Sequence, residues 1–370
     1  MTASTINTRD DLISYLNAAM ALEHGTIPPY LTAYYSLHPT TNSDAAHIIR
    51  VVVVEEMLHL TLAANVLNAI GGTPDLTRPG FVASYPAYLP DGEDDFTVDL
   101  RSFSPEAVET FCKIERPGKA PSGTSRLLPK ADSGERVLVS SPTVEGMRFY
   151  SIGEFYAEII EGLEKVAADD PKLFSGNPAL QVGSEYFYSG GGAVITVTDL
   201  DSARRALQFI SDQGEGLDSG LYDAEGELAH YYRFRQLQLG RYFQVGDQPD
   251  SPTGPRLSVA WDEVYKVKVN ARLADYPAGS EIAGAVRNFN AEYGDFLALL
   301  TKAFTGQPGL LQDAIWYMFR LRDAFNRLVR NPMPGSDGLH AAPTFEIPTA
   351  AGSDPAAART DGETAQAVTR

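Results

Sequence analysis

One pattern, Glu-x-x-His, occurs twice in this 370-residue chain and limits its possible folds more than any other feature. Glu56-Met-Leu-His59 stands inside the apolar run formed by Val51-Val-Val-Val54 and Met57-Leu-His-Leu-Thr-Leu62. On a helix, this spacing turns both side chains to nearly one face, so a carboxylate and an imidazole can converge on one point. Ionised groups in so apolar a helix are costly unless they are paired or bound to a cation. Glu227-Leu-Ala-His230 repeats the pattern downstream. A lone copy is ordinarily a solvated face or a hydrogen-bonded core histidine. Two copies point to a helical bundle holding two metal ions, in which Glu from two helices joins Glu-x-x-His from two others. The competing reading is a buried polar network without metal.

The rest of the chain reads as mainly helical. Asp10 and Asp11, followed by Leu12, Ile13, Leu16, Met20 and Leu22, predict a long first helix over 8–37. Pro28 and Pro29 should bend or interrupt it. A turn over 38–44 leads to a second, antiparallel helix over 45–70, ended by Gly71-Gly72. Glu23 lies 17 positions before residue 40 and Glu56 lies 16 after it. At about 1.5 Å rise per residue, that places both at one height, which makes Glu23 a candidate ligand. A helix expected over 143–168 offers Glu154, Glu158 and Glu161 on one stripe. Periodicity does not choose among them, although Phe155, Ile159 and Ile160 give Glu154 apolar surroundings.

Between these helices, 73–141 reads as an insertion of loops and short β-prone runs such as Phe81-Val-Ala-Ser-Tyr85. Ser189-Gly-Gly-Gly192 precedes a strand-like run over 193–198, and helices are expected over 200–213, 224–243, 280–304 and 308–330. Gln213-Gly-Glu-Gly216 closes one of them as a glycine cap, or else its Glu215 replaces Glu227 as a ligand. His24 and Glu55 adjoin the proposed ligands and should point elsewhere, as surface residues or as supports for the ligands. Tyr30, Tyr34, Tyr231 and Tyr232 are core aromatics or line a cavity. The expected organisation is a metal-binding bundle over 1–248, with its insertion at 73–141. A C-terminal helical extension over 249–346 packs on the bundle, and a disordered tail rich in Ala, Thr, Gly and Asp covers 347–370.

Charge and cysteine content exclude other classes. A formal charge of −18 argues against extended contact with nucleic acid or an anionic membrane. Cys112 is the single cysteine, which rules out an intramolecular disulfide and a thiolate cluster. The N-terminus lacks a basic region followed by an apolar run, and no later stretch suits a bilayer, so a cytoplasmic protein is expected.

Five separated motifs then resemble a known family: Ala21-Leu-Glu-His-Gly-Thr-Ile-Pro-Pro-Tyr30; Glu55-Glu-Met-Leu-His-Leu60 with Asn65 and Gly71-Gly-Thr-Pro74; Ile152-Gly-Glu-Phe-Tyr156; Gln213-Gly-Glu-Gly216; and Ala229-His-Tyr-Tyr-Arg-Phe234. Together they look like the ferritin-like domain of the iminophenylpyruvate dimer synthase family, over about residues 8–245. That domain occurs in the imine-dimerising enzymes of violacein and indolocarbazole biosynthesis and in stand-alone bacterial proteins. The resemblance implies a ferritin-like four-helix bundle. It supports Glu23, Glu56, His59, Glu154 and His230 as ligands, with Glu227 or Glu215 completing the set and Glu158 in reserve. The large synthases carry extensive sequence beyond this domain, so dimer synthesis does not follow.

The expected function is that of a non-haem di-iron oxidase or oxygenase with two Fe ions, although Mn or a mixed Fe/Mn pair suits the same ligands. Its partners would be dioxygen and a small, amino-acid-derived substrate from secondary metabolism, reached through a pocket at the metals, and its expected assembly is a homodimer. Two other readings are a ferroxidase or iron-handling protein without organic substrate and a metal-free interaction protein. The long insertion and added C-terminal helices argue against a storage cage, which needs compact, regular bundles.

Overall fold

The computed structural model describes residues 4–38, 40–92, 95–118, 127–129, 147–187, 191–217 and 220–347. Helix α1 (Arg9–Ser36) begins at a reciprocal cap: the Thr8 hydroxyl accepts the Asp11 N–H, and the Asp11 carboxylate accepts the Thr8 N–H. It runs through Pro28 and Pro29 unbroken. Pro29 has no N–H to offer the carbonyl of Gly25, four residues back. The buried Tyr85 hydroxyl donates to that carbonyl instead, at 2.8 Å. Helix α2 (Ser43–Ala69) returns antiparallel and stops where Gly71 adopts φ +83°. The two helices, of 28 and 27 residues, form a hairpin about 40 Å long.

Four shorter helices complete the bundle as two stacked pairs. Helix α3 (Pro105–Ile114) and α6 (His230–Leu239) lie along the half nearer the hairpin turn, where the Tyr30 ring meets Phe111 at 4.6 Å and Phe234 at 5.3 Å. Helix α4 (Ile152–Asp169) and α5 (Leu200–Glu215) lie along the other half. There Tyr15 stacks on Phe155 at 6.0 Å, and Glu158 accepts hydrogen bonds from Ser4 and Thr5. The third and fourth positions of the bundle are therefore each divided, α3 giving way to α4 and α5 to α6, and all four helix ends meet at one level. Arg116 Nε donates to the Tyr150 carbonyl at 2.9 Å across the first break. Glu215 ties the ends together by accepting the backbone N–H of Gly153 at 2.6 Å and of Gly118 at 3.1 Å.

Several expected elements differ. The helix expected over 224–243 starts only at His230. Asp223 accepts the N–H groups of Glu225 and Glu227, and Gly226 takes φ +81°, so a side-chain-stabilised turn displaces the first helical turns. The helix expected over 143–168 starts at Ile152, where the Ser151 hydroxyl accepts the Glu154 N–H. Before it, β2 (Met147–Phe149) pairs antiparallel with β1 (Leu127–Pro129), while 130–146 lie outside the described residues. The run over 193–198 forms no strand, and the Gln181 amide takes up the backbone of Val197 instead. The expected insertion contains α3, whose start is set by Ser104 and Pro105 and whose apolar face comprises Ala107, Val108, Phe111, Cys112 and Ile114.

Beyond the bundle, α7 (Glu281–Phe304) and α8 (Leu310–Leu328) form a second hairpin against α1 and α2. Its Tyr293 hydroxyl meets His24 Nε2 at 2.9 Å on the far side of α1. Residues 348–370, expected as a disordered tail, lie outside the described residues. Among the described residues no helix is long and apolar enough to cross a membrane.

The Tyr85 substitution for a missing helical donor is testable. Tyr85→Phe should cost about 1–3 kcal/mol by leaving the Gly25 carbonyl without a partner. In a Pro29→Ala background, which restores a backbone N–H, the same change should cost distinctly less in denaturant unfolding.

Candidate metal centre

The helix ends meet around a buried cluster of five side chains, each at most 3% exposed: Glu23 from α1, Glu56 and His59 from α2, Glu115 at the end of α3 and His230 at the start of α6. His59 Nδ1 lies 3.3 Å from Glu23 Oε2 and 3.9 Å from Glu56 Oε1. His230 Nδ1 lies 3.0 Å from Glu56 Oε1 and 3.6 Å from Glu115 Oε2. Glu56 therefore stands between two similar halves, Glu23 with His59 and Glu115 with His230. The two rings are nearly parallel, with centroids 5.3 Å apart. Ligand atoms of Glu56, His59 and His230 all fall within 4.8 Å of one another.

Each cluster carboxylate is held by a hydroxyl on the oxygen that faces away from the histidines. Tyr156 donates to Glu23 Oε1 at 2.5 Å, Tyr30 to Glu115 Oε1 at 2.5 Å and Thr26 to Glu56 Oε2 at 3.1 Å. Each imidazole is likewise held by its outer nitrogen. Gln213 Nε2 donates to the Gly191 carbonyl at 2.7 Å, which turns its Oε1 toward His59 Nε2 at 2.9 Å. His230 Nε2 meets Glu55 Oε2 at 2.9 Å. Both outer partners are acceptors, so each ring carries its proton on Nε2 and presents the Nδ1 lone pair to carboxylate oxygens. His230 Nδ1 accordingly lacks a hydrogen bond despite its close neighbours. Opposed lone pairs among side chains this deeply buried are stabilised by a positive charge between them, and the nitrogen and oxygen donors suit a transition-metal ion.

Without an ion, protons take that place. Burial, reinforced by the charges of Glu115 and Glu23, pushes Glu56 up to about 8. Burial disfavours the charged form of both rings, yet the surrounding carboxylates outweigh it: His59 is raised and His230 is raised well above the ordinary range. Glu55 is also opposed by burial, but His230 and Arg233 hold it below the usual value.

Glu23, Glu56, His59 and His230, all expected from the sequence, come together. Glu154 and Glu227 do not join them. Glu154 accepts the Tyr150 N–H at the start of its own helix, and Glu227, in the turn before α6, is exposed and pairs with Arg233 at 3.3 Å. Glu158 and Glu215, the alternatives, bind backbone and hydroxyl groups as described above, and burial raises Glu215 to about 7. Glu115 lies outside the expected set, because the sequence before it reads as an insertion of loops and short β-prone runs. Its signal was an ionisable residue at the end of the apolar spacing Phe111, Cys112, Ile114. Glu55 and Gln213 prove to be the outer partners of the two histidines. A surface groove of about 680 Å³ on the outer faces of α3 and α6 is lined by Lys113, Arg235 and Trp261 but by none of the five cluster residues.

Comparison with known proteins bears on the family and the fold. A ferritin-like family profile matches residues 16–239. Dichlorochromopyrrolate synthase of Lentzea aerocolonigenes is 26% identical over 398 residues, covering 92% of this chain and 36% of that one, so the chain spans about a third of the synthase's length. Bacterioferritin of Desulfovibrio desulfuricans is 25% identical over 151 residues, 41% of this chain and 83% of that protein. The crystal structure of a ferritin-like protein from Caulobacter vibrioides superposes with a TM-score of 0.56 at 24% identity, covering 90% of this chain and 96% of that one, and supports the fold.

The raised Glu56 and Glu215 carboxyls fix the sign of a pH effect. The folded protein retains protons that the unfolded chain releases above the ordinary value of 4.5, so stability falls as pH rises toward about 8. Chelator-treated protein should therefore melt at a progressively lower temperature between about pH 5 and pH 8.5, whereas saturating Mn2+ should reduce the decline.

Proposed function

The chain belongs to the ferritin-like family, and on that premise we propose that it is a dinuclear metalloenzyme, a di-iron oxidase or oxygenase that acts on a small organic molecule. The observation that carries this reading is the pair of imidazoles whose Nε2 atoms are engaged and whose Nδ1 atoms face shared carboxylates. Glu23 with His59, and Glu115 with His230, would each hold one ion, with Glu56 available to both. Five protein donors on two ions leave positions for other molecules. Iron bound here would supply the reduction of dioxygen that drives substrate oxidation.

The chain's own residues prepare the site. Tyr156, Tyr30 and Thr26 hold the outer carboxylate oxygens, so the inner ones are oriented before an ion arrives. Gln213 and Glu55 keep the imidazole protons on Nε2. Burial of all five donors excludes bulk water, which strengthens every charge interaction in the site. An organic substrate from secondary metabolism is supported by the relationship to a synthase over 92% of this chain. The likeness to bacterioferritin is confined to 41% of the chain and supports the iron-handling alternative less strongly.

Metal analysis after anaerobic reconstitution should give about two iron per chain. Glu56→Ala, Glu115→Ala and His230→Ala should each lose bound iron, while Glu154→Ala and Glu227→Ala should retain it. Oxygen uptake coupled to an organic product would support the oxidase. Iron that is oxidised and retained without any organic product would favour iron handling, and absence of specific metal would sink both.

A further inference from the structure

The two halves of the cluster present matching donors, one Glu and one His each on either side of Glu56, but the groups behind the two histidines differ in charge. His59 Nε2 faces Gln213, a neutral amide whose orientation is fixed by the Gly191 carbonyl. His230 Nε2 faces Glu55, a carboxylate that is itself 2% exposed. Arg233 lies 3.6 Å from Glu55 and 3.3 Å from the exposed Glu227, so the second motif's carboxylate supports its histidine indirectly, through an arginine and a glutamate. Gly191 governs both arrangements. Its carbonyl orients Gln213, and a Cβ placed on it would lie 2.7 Å from Glu55 Cγ and 2.9 Å from Glu55 Oε1. The glycine, at φ +91°, is thus required both by its backbone and by the close approach of Glu55.

A carboxylate that accepts the outer N–H of an imidazole makes the inner nitrogen a stronger electron donor than a neutral amide does. Arg233 sits on the far side of Glu55 from His230 and reduces this effect without removing it, because the arginine is shared with Glu227. We propose that the two metal positions are unequal: a divalent ion held by Glu115, Glu56 and His230 binds more tightly than one held by Glu23, Glu56 and His59, with Glu55 and Gln213 as the positioning residues that set the difference. This inference rests on the dinuclear reading above and adds an order of filling to it. The first ion enters the half backed by Glu55, and the second position is the more readily exchanged.

The experiment is a calorimetric titration of the full-length, metal-stripped chain with Co2+, followed in parallel by visible absorption. Wild-type protein should take up two ions in resolved steps. Glu55→Gln keeps an acceptor for His230 Nε2–H but removes the charge, and should weaken the first step by about 10–100-fold with little change in the second. Gln213→Glu is the reciprocal change and should strengthen the second step, bringing the two together. Melting of each metal-stripped variant shows whether the fold is kept, and only the reciprocal response of the two steps reports the outer charge. Two ions bound with equal affinity in wild type, or a first step unmoved by Glu55→Gln in a folded variant, would overturn the inference while leaving the dinuclear reading intact. Uptake of one ion or none would overturn both.

Discussion

Four buried carboxylates, Glu23, Glu55, Glu56 and Glu115, surround two buried imidazoles at the centre of the bundle. In water these charges would be screened. Here each must be neutralised by a proton, a cation or a hydrogen-bond donor. The local structure follows from that requirement. Tyr30, Tyr156 and Thr26 supply donors to the oxygens that turn outward, Arg233 approaches Glu55, and burial among these charges raises Glu56 while the carboxylates raise both histidines against their burial. Truncating one ligand therefore removes more than a contact, since it leaves the opposing charges without their counterpart.

Breaking two of the four bundle positions at the level of this cluster is the architectural answer to the same constraint. A continuous helix presents side chains at fixed angular steps, whereas a helix end can aim one residue along the bundle axis. Glu115 enters from the end of α3, and His230 from the first residue of α6. Glu215 then joins the breaks by accepting N–H groups from Gly118 and Gly153, which would otherwise be unsatisfied beside the cluster. The same logic operates within α1, where Tyr85 serves the carbonyl that Pro29 leaves without a donor. Glu23 and Glu56, on the two arms of the hairpin, both approach His59 Nδ1, at 3.3 Å and 3.9 Å.

The bundle and most of its metal-facing side chains were legible in the sequence because they depend on short-range regularities. Apolar periodicity gave α1, α2, α7 and α8 nearly to their ends, and counting from the hairpin turn paired Glu23 with Glu56. Errors arose where a local side-chain interaction or a distant contact decided the outcome. Asp223 captured two backbone N–H groups and displaced the start of α6, so Glu227 left the face it would share with His230 on a helix. Glu154 failed to join because Tyr156 is the residue of that helix that reaches Glu23, and two residues along a helix point in nearly opposite directions.

Sequence alone determined the helical class, the apolar setting that makes Glu56 and His59 costly as isolated charges, and the recurrence of their spacing at His230. Tertiary structure decided the remaining donor and the identity of the groups that orient the histidines. Glu115 and Glu23 are separated by most of an inserted segment, and Gln213 and Gly191 reach His59 across more than a hundred residues. No periodicity links such positions. They meet because two broken helices end at the same height on one long hairpin, and that coincidence is a property of packing rather than of any local run of residues.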